Sequence, residues 1–200
     1  FLACFAIWQS SWLALLLSTI VGVVLTGAFH EDGFADSFDG FGGVWGKAQV
    51  LSIMKDSRVG TYCALWLGLI VAVKLSALYL LPVDLIPWAL VLGHTLSRSF
   101  SASFMYKLDY VREEADRKLS GHSDRISFKE MSFILVVGLS GLLFLPLGVA
   151  CACLLVLLVL YWLLSRYWLK RIGGYTGDCL GGAQQLAEVS VYLVLSAALV

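Results

Sequence analysis

The residues with the most chemistry in this 200-residue chain stand together in the run His30-Glu31-Asp32-Gly33-Phe34-Ala35-Asp36-Ser37-Phe38-Asp39-Gly40. Asp32, Asp36 and Asp39 recur at i, i+4 and i+7, the spacing that stacks side chains on one face of a helix. Three carboxylates on one face repel one another, and the conflict is worse at the end of a membrane span. A divalent cation removes it, because hard carboxylate oxygens suit Mg²⁺ or Mn²⁺. A solvated acidic turn is the plainer alternative. The interleaved Phe34, Ala35, Phe38 and Phe41 set an apolar face beside the acidic one. That places the carboxylates against a protein or membrane wall instead of open water, and it favours the metal.

Mg²⁺ bound by a few carboxylates completes its shell with water and substrate phosphates, so cations for those phosphates belong nearby. Lys55-Asp56-Ser57-Arg58 follows soon after. Basic residues at a helix end also anchor a membrane protein, and the sequence leaves both roles open. A second polar run is Gly173-Gly174-Tyr175-Thr176-Gly177-Asp178-Cys179-Leu180-Gly181-Gly182. Gly173, Gly177 and Gly181 repeat the small-xxx-small pattern that lets membrane helices approach closely. They could equally bring backbone N–H groups to a phosphate or ribose. Asp178 and Glu188 sit at or inside an apolar helix, where an ionisable group is a functional candidate. His94 precedes Arg98 by one turn and reads as a structural or hydrogen-bonding residue; His30 borders the acidic run as a ligand, a proton carrier or neither. No HExxH, P-loop or GxSxG motif occurs, so zinc hydrolase, NTPase and serine hydrolase chemistry has nothing to rest on.

The elements that position these groups must be membrane helices. Hydrophobic residues make up 60% of the chain and charged residues 14%, against roughly 45–50% and about 25% in soluble proteins. No soluble fold of this size hides that much apolar surface, and disorder is excluded for the same reason. The 14 Lys+Arg balance the 14 Asp+Glu, leaving no basic excess for nucleic acid. Five cysteines with no CxxC pair read as small buried hydrophobes. The chain opens at Phe1 in apolar sequence and reads as one transmembrane catalytic domain over residues 1–200, with an N-terminal segment of a longer protein before it.

A bilayer core takes about 20 apolar residues per helix. Residues 12–29 form one uncharged stretch, and residues 1–8 read as the end of an earlier span. Residues 61–96 are too long for one span, and Pro82 and Pro87 mark the turn of a hairpin. Residues 133–164 form a second hairpin, broken around Gly141, Pro146 and Gly148. Residues 180–200 complete an all-α polytopic bundle of about six transmembrane helices. The intervening polar stretches, 30–60, 97–130 and 166–178, hold Lys47, Lys55, Arg58, Arg98, Arg112 and Arg171 among others, while the reverse turns hold no Lys or Arg. The positive-inside rule puts all three polar stretches in the cytoplasm, on one face of the membrane.

Taken in order, His30-Glu31-Asp32-Gly33-Phe34-Ala35-Asp36, Asp39-Gly40, Met54-Lys55-Asp56-Ser57-Arg58-Val59-Gly60 and Gly173-Gly174-Tyr175-Thr176-Gly177-Asp178 with Glu188 resemble the cobalamin (5′-phosphate) synthase family, the adenosylcobinamide-GDP ribazoletransferases. The likeness covers nearly the whole chain and is weakest over 98–129. It implies a Mg²⁺-dependent enzyme of late cobalamin biosynthesis in the bacterial inner membrane, with its site facing the cytoplasm. Adenosylcobinamide-GDP and α-ribazole 5′-phosphate (or α-ribazole) would be joined with release of GMP, beside other enzymes of the pathway. Asp32, Asp36 and Asp39 would hold one or two Mg²⁺, with Glu31 and Asp178 completing the shell and Asp36 or Asp39 as the base. Lys55, Asp56, Arg58, Arg98, Thr176 and Glu188 would contact substrate. Acidic groups at span ends also suit two rival readings. One is a CDP-alcohol phosphotransferase, which differs in carrying an Arg after the Ala of Asp32-Gly33-Phe34-Ala35-Asp36. The other is a divalent-cation carrier, which calls for midplane acids in repeated halves, and no repeat is found.

Overall fold

The computed structural model describes residues 1–56, 58, 60–111 and 125–199. After a short helix α1 (Leu2–Trp8), the Ser10 hydroxyl accepts the Leu13 N–H at 3.3 Å and opens α2 (Ser11–Thr26). Two left-handed residues, Gly27 (φ 63°) and Ala28 (φ 57°), turn the chain through 85° into α3 (Phe29–Gly42), the helix carrying the acidic run. The short α4 (Lys47–Met54) leads into α5 (Thr61–Leu80). Pro82 and Pro87 punctuate the chain as the sequence predicts, and Pro87 falls in the first turn of α6 (Ile86–Lys107), where no helical N–H is lost. A reciprocal Ser127–Glu130 capping box starts α7 (Phe128–Ser140). A 3₁₀ turn (Gly141–Phe144) and Pro146 separate α7 from α8 (Leu147–Arg171), and α9 (Gly177–Leu199) ends the bundle.

The all-α membrane architecture holds, and both hairpin breaks fall where expected. The count of six spans is not supported. Among the described residues α5 and α8 are long and apolar enough to cross a bilayer, and the bent pair α2–α3 adds a third if it counts as one span. The others are too short or too polar for their length: α6 carries Arg98 and Lys107 within a serine-rich half, and α9 carries Gln184, Gln185 and Glu188. These polar side chains are accommodated because α9 is the hub, packed against α3, α5, α6 and α8. The core around it runs through Phe104, whose ring lies 4.5 Å from Tyr161 and 4.7 Å from Trp168. The outside is apolar, with Leu25, Leu143, Phe144 and Leu147 all exposed, as a bilayer-facing surface requires. The cysteines divide: Cys63, Cys153 and Cys179 are buried, whereas Cys4 is half-buried and Cys151 faces outward, so the expectation of five buried thiols is corrected. All five are free. Ser57, Val59 and the basic residues Arg112, Arg117 and Lys118 lie outside the described residues.

Candidate active site

The site is built where α3 crosses α9. A Cβ added to Gly33 would stand 3.1 Å from the Asp178 Cα and 3.2 Å from the Gly181 Cα, and one on Gly181 would stand 3.0 Å from the Gly33 Cα. The two backbones are therefore in contact, and a Cβ on either side would have to push the facing backbone back by a few tenths of an ångström. Gly181 thus fulfils the small-residue reading, while Gly177 has open space and Gly173 serves instead as a turn residue with φ +84° after α8. The crossing brings Asp178, in the first turn of α9, beside the acidic face of α3. Asp36 feels the charges of Asp32, Asp178 and Asp39, and Asp178 that of Asp32. Among the described residues no Lys, Arg or His forms an ion pair with Asp32, Asp36 or Asp178. Like charges held together in this way cost energy unless something positive joins them.

Asp39 stands apart from that trio in what its oxygens do. Oδ2 accepts the Gly60 N–H at 2.9 Å and Oδ1 accepts the Cys63 N–H at 3.0 Å. It is a cap supplied from α3 to the first turn of α5, satisfying N–H groups that the helix itself leaves unpaired. Glycine at position 60 lets this cap form as it stands, since a Cβ would fall 2.4 Å from Asp39 Oδ2 and displace the carboxylate.

The remaining predicted residues fall into three places. Asp56 and Arg58 pair with each other, Nη2 to Oδ2 at 2.5 Å, at the exposed end of α4, and the Arg58 guanidinium holds the Asp56 carboxyl below its ordinary range. Lys55 closes α4 just before them. Thr176 is buried immediately ahead of α9, where its Oγ1 accepts the Cys179 N–H at 3.3 Å and lies 3.4 Å from Asp178 Oδ2, so it orders the turn that carries Asp178. Glu31, Arg98 and Glu188 are not in the acidic face. Glu31 turns to α9 and accepts from Gln185 Nε2 at 2.9 Å. The Arg98 Nη1 lies 3.1 Å from His94 Nδ1, as the one-turn spacing predicts. Glu188, 1% exposed, meets Lys74 Nζ at 2.5 Å and accepts from Gln184 Nε2 at 2.6 Å and the Tyr192 hydroxyl at 3.0 Å.

Two residues that the motif reading passed over matter to this geometry. Lys74, with the His94 ring nitrogen 3.5 Å from the same Glu188 oxygen, makes Glu188 tolerable inside the bundle, and a lone Lys in one apolar helix facing a lone Glu in another was the available signal. Arg171 binds α8 to the far end of α3. Its guanidinium donates to the Val44 and Phe41 carbonyls and is surrounded by the rings of Trp45, Tyr167 and Phe41 at 4.6, 5.2 and 5.4 Å. Nothing in a Lys-Arg pair at a helix end distinguishes this from membrane anchoring.

The acidic face suits Mg²⁺ by the chemistry of its donors, hard carboxylate oxygens that lack a cationic partner among the described residues. Among the described residues no three Asp, Glu, His or Cys side chains meet closely enough to coordinate one ion. A pair of carboxylates with the remaining positions left to water and substrate phosphate is how Mg²⁺ is commonly held, so the fit does not need a protein-only cage.

A family model described as cobalamin-5-phosphate synthase matches residues 1–196. The chain belongs to that family. Curated relatives named adenosylcobinamide-GDP ribazoletransferase resemble this cobalamin-5-phosphate synthase family member over most of its length. The protein of Shewanella amazonensis is 46% identical over 186 residues, covering 91% of this chain and 72% of the relative. That of Shewanella piezotolerans is 44% identical over 191 residues, covering 94% and 74%. That of Shewanella woodyi is 42% identical over 193 residues, covering 91% and 72%. No solved structure matches. As a cobalamin-5-phosphate synthase family member the chain is an enzyme, a transferase of cobalamin biosynthesis.

Proposed function

We propose that this protein joins adenosylcobinamide-GDP to α-ribazole 5′-phosphate, or to α-ribazole, with release of GMP, in a Mg²⁺-dependent reaction at the cytoplasmic face of a bacterial inner membrane. The observation that carries the reading is the set of Asp32, Asp36 and Asp178 at the α3–α9 crossing, without cationic partners among the described residues, in a chain whose relatives are named for this transfer. In the reaction an α-ribazole hydroxyl oxygen bonds to the phosphorus on the cobinamide side of the pyrophosphate. The P–O bond to the nucleotide breaks, and GMP departs with the electron pair. Asp36 accepts the hydroxyl proton. Asp39, the other candidate base, already has both oxygens engaged by the N–H groups of α5, which supports Asp36.

Asp32 and Asp178 would hold Mg²⁺, which when bound neutralises pyrophosphate charge and the departing GMP. Glu31 faces the other way and is left out of that shell. Lys55 and Arg58 lie on the segment leading to Gly60, where Asp39 is bound, and would neutralise phosphates, with Asp56 holding Arg58 until substrate arrives. Thr176 acts by ordering Asp178. Cytoplasmic orientation is supported by the clustering of Lys107, Lys170 and Arg171 at the ends of α6 and α8, with none in the turns after α5 and α7.

The test is product analysis with the protein in liposomes. GMP is expected when adenosylcobinamide-GDP and α-ribazole 5′-phosphate are supplied together, and not with either alone. CMP formed from a CDP-alcohol, with no GMP from the corrinoid pair, would overturn the assignment in favour of phospholipid chemistry.

A further inference from the structure

The glycine run ahead of α9 holds one glycine that neither the four-residue repeat nor the α3–α9 crossing uses. Gly174 stands between Gly173, at φ +84°, and Tyr175, which is 2% exposed. Tyr175 and Tyr110 form a single parallel β-bridge, which ties the chain just after α6 to the 172–176 connection between α8 and α9. The Tyr175 N–H donates to the Asp109 carbonyl at 3.1 Å, and the Val111 N–H donates to the Tyr175 carbonyl at 2.8 Å. The two tyrosine rings meet at 5.4 Å. The Asp109 carboxylate in turn pairs with Arg125, ahead of α7. Gly174 is what lets the two segments meet. A Cβ there would stand 2.2 Å from the Asp109 carbonyl oxygen and 2.8 Å from Val111 Cγ2. A backbone oxygen cannot swing aside as the end of a side chain can, so a side chain at 174 has to push the bridge apart.

The bridge ends one residue before Thr176. The Thr176 hydroxyl accepts the Cys179 N–H at 3.3 Å and lies 3.4 Å from Asp178 Oδ2, and its carbonyl accepts the Leu180 N–H at 3.3 Å. Asp178 therefore sits in a first turn whose entry is fixed from outside the helix. Helix ends fray unless they are tied down, and the Gly33–Gly181 contact bears on one side of α9 only. A carboxylate that shares an ion with groups on another helix needs its own backbone held. Partners that hold a metal ligand in place are worth about 10–100-fold in metal affinity. We infer that Gly174 and the segment from Asp109 to Val111 are positioning residues, which hold Asp178 against the acidic face of α3 through the Tyr175 bridge and Thr176. The inference rests on the reading of Asp178 as a Mg²⁺ holder given above.

Gly174→Ala tests it, beside Val111→Pro, which removes the N–H donated to Tyr175 and leaves the glycine run intact. Mn²⁺ binding to the substrate-free protein in detergent is followed by electron paramagnetic resonance. GMP release is measured in liposomes, and thermal melting checks the fold. Each variant is expected to weaken Mn²⁺ binding about tenfold and to lower kcat about 10²-fold. In an Asp178→Asn background neither should lower kcat or Mn²⁺ affinity by more than about twofold further, because changes that act through one group are not additive. Wild-type Mn²⁺ affinity in a folded variant, or the full loss repeated in the Asp178→Asn background, overturns the inference. Unfolding of both variants at the assay temperature also overturns it, by showing that the bridge carries the fold as a whole. Asp178→Asn with the Mn²⁺ affinity and kcat of the wild type overturns the reading of Asp178 itself, and the inference with it.

Discussion

Asp36 and Asp39 are one helical turn apart on α3, yet their surroundings give them different work. Asp39 holds two N–H groups of another helix, so Asp39→Ala removes a cap and should lower stability by about 0.5–2 kcal/mol, seen as a lower melting temperature in detergent. Removing Asp36 instead relieves repulsion from Asp32 and Asp178 and should leave the melting temperature unchanged or higher. Equal losses in the two variants would contradict this division. The i, i+4, i+7 spacing made the shared face of the three aspartates legible in the sequence. It did not separate their roles, because the groups that occupy Asp39 belong to Gly60 and Cys63, more than twenty residues further on. Thr176 is a similar case: the family resemblance implies a substrate contact, and the structure adds that its hydroxyl orders the first turn of α9.

At the scale of helices, the site depends on how closely α3 and α9 approach. Gly33 and Gly181 meet backbone to backbone, and a methyl group there has no flexible side chain to displace. Gly181→Ala should therefore push the helices apart, costing about 1–3 kcal/mol of stability. It should also lower kcat by about 10²-fold as Asp178 is withdrawn from Asp32 and Asp36. Full activity at an unchanged melting temperature would show that the crossing does not position the site. The small-xxx-small pattern announced a close approach of α9 to something. Its partner was hidden inside Asp32-Gly33-Phe34, where the glycine sits between residues that draw attention for chemistry. The helix breaks at Pro82 and Pro146 were legible because proline and glycine act locally. The number of spans was not, because α6 and α9 are polar on faces that only the assembled bundle covers.

For the molecule as a whole, the fold tolerates ionised groups in its interior by pairing them across distant helices. Lys74 on α5 and Glu188 on α9 are both nearly inaccessible. Lys74→Met leaves Glu188 buried with only the His94 ring, 3.5 Å away, facing it, and should destabilise the bundle by about 3–5 kcal/mol. The double variant Lys74→Met/Glu188→Met, which buries no charge, should recover much of that loss in thermal melts; no recovery would mean that the pair does more than neutralise itself. The same hub helix carries Asp178 at one end and Glu188 further along, so the acidic face and the buried ion pair share one scaffold.

The most direct measurement of the central claim is the rate of GMP release from adenosylcobinamide-GDP and α-ribazole 5′-phosphate, titrated with Mg²⁺, for wild type and Asp36→Asn in the same liposomes. The account predicts metal-dependent release by the wild type and a kcat lower by about 10²–10⁴-fold in Asp36→Asn at an unchanged melting temperature. Wild-type release that ignores Mg²⁺ removal, or an Asp36→Asn variant as fast as the wild type, would contradict it.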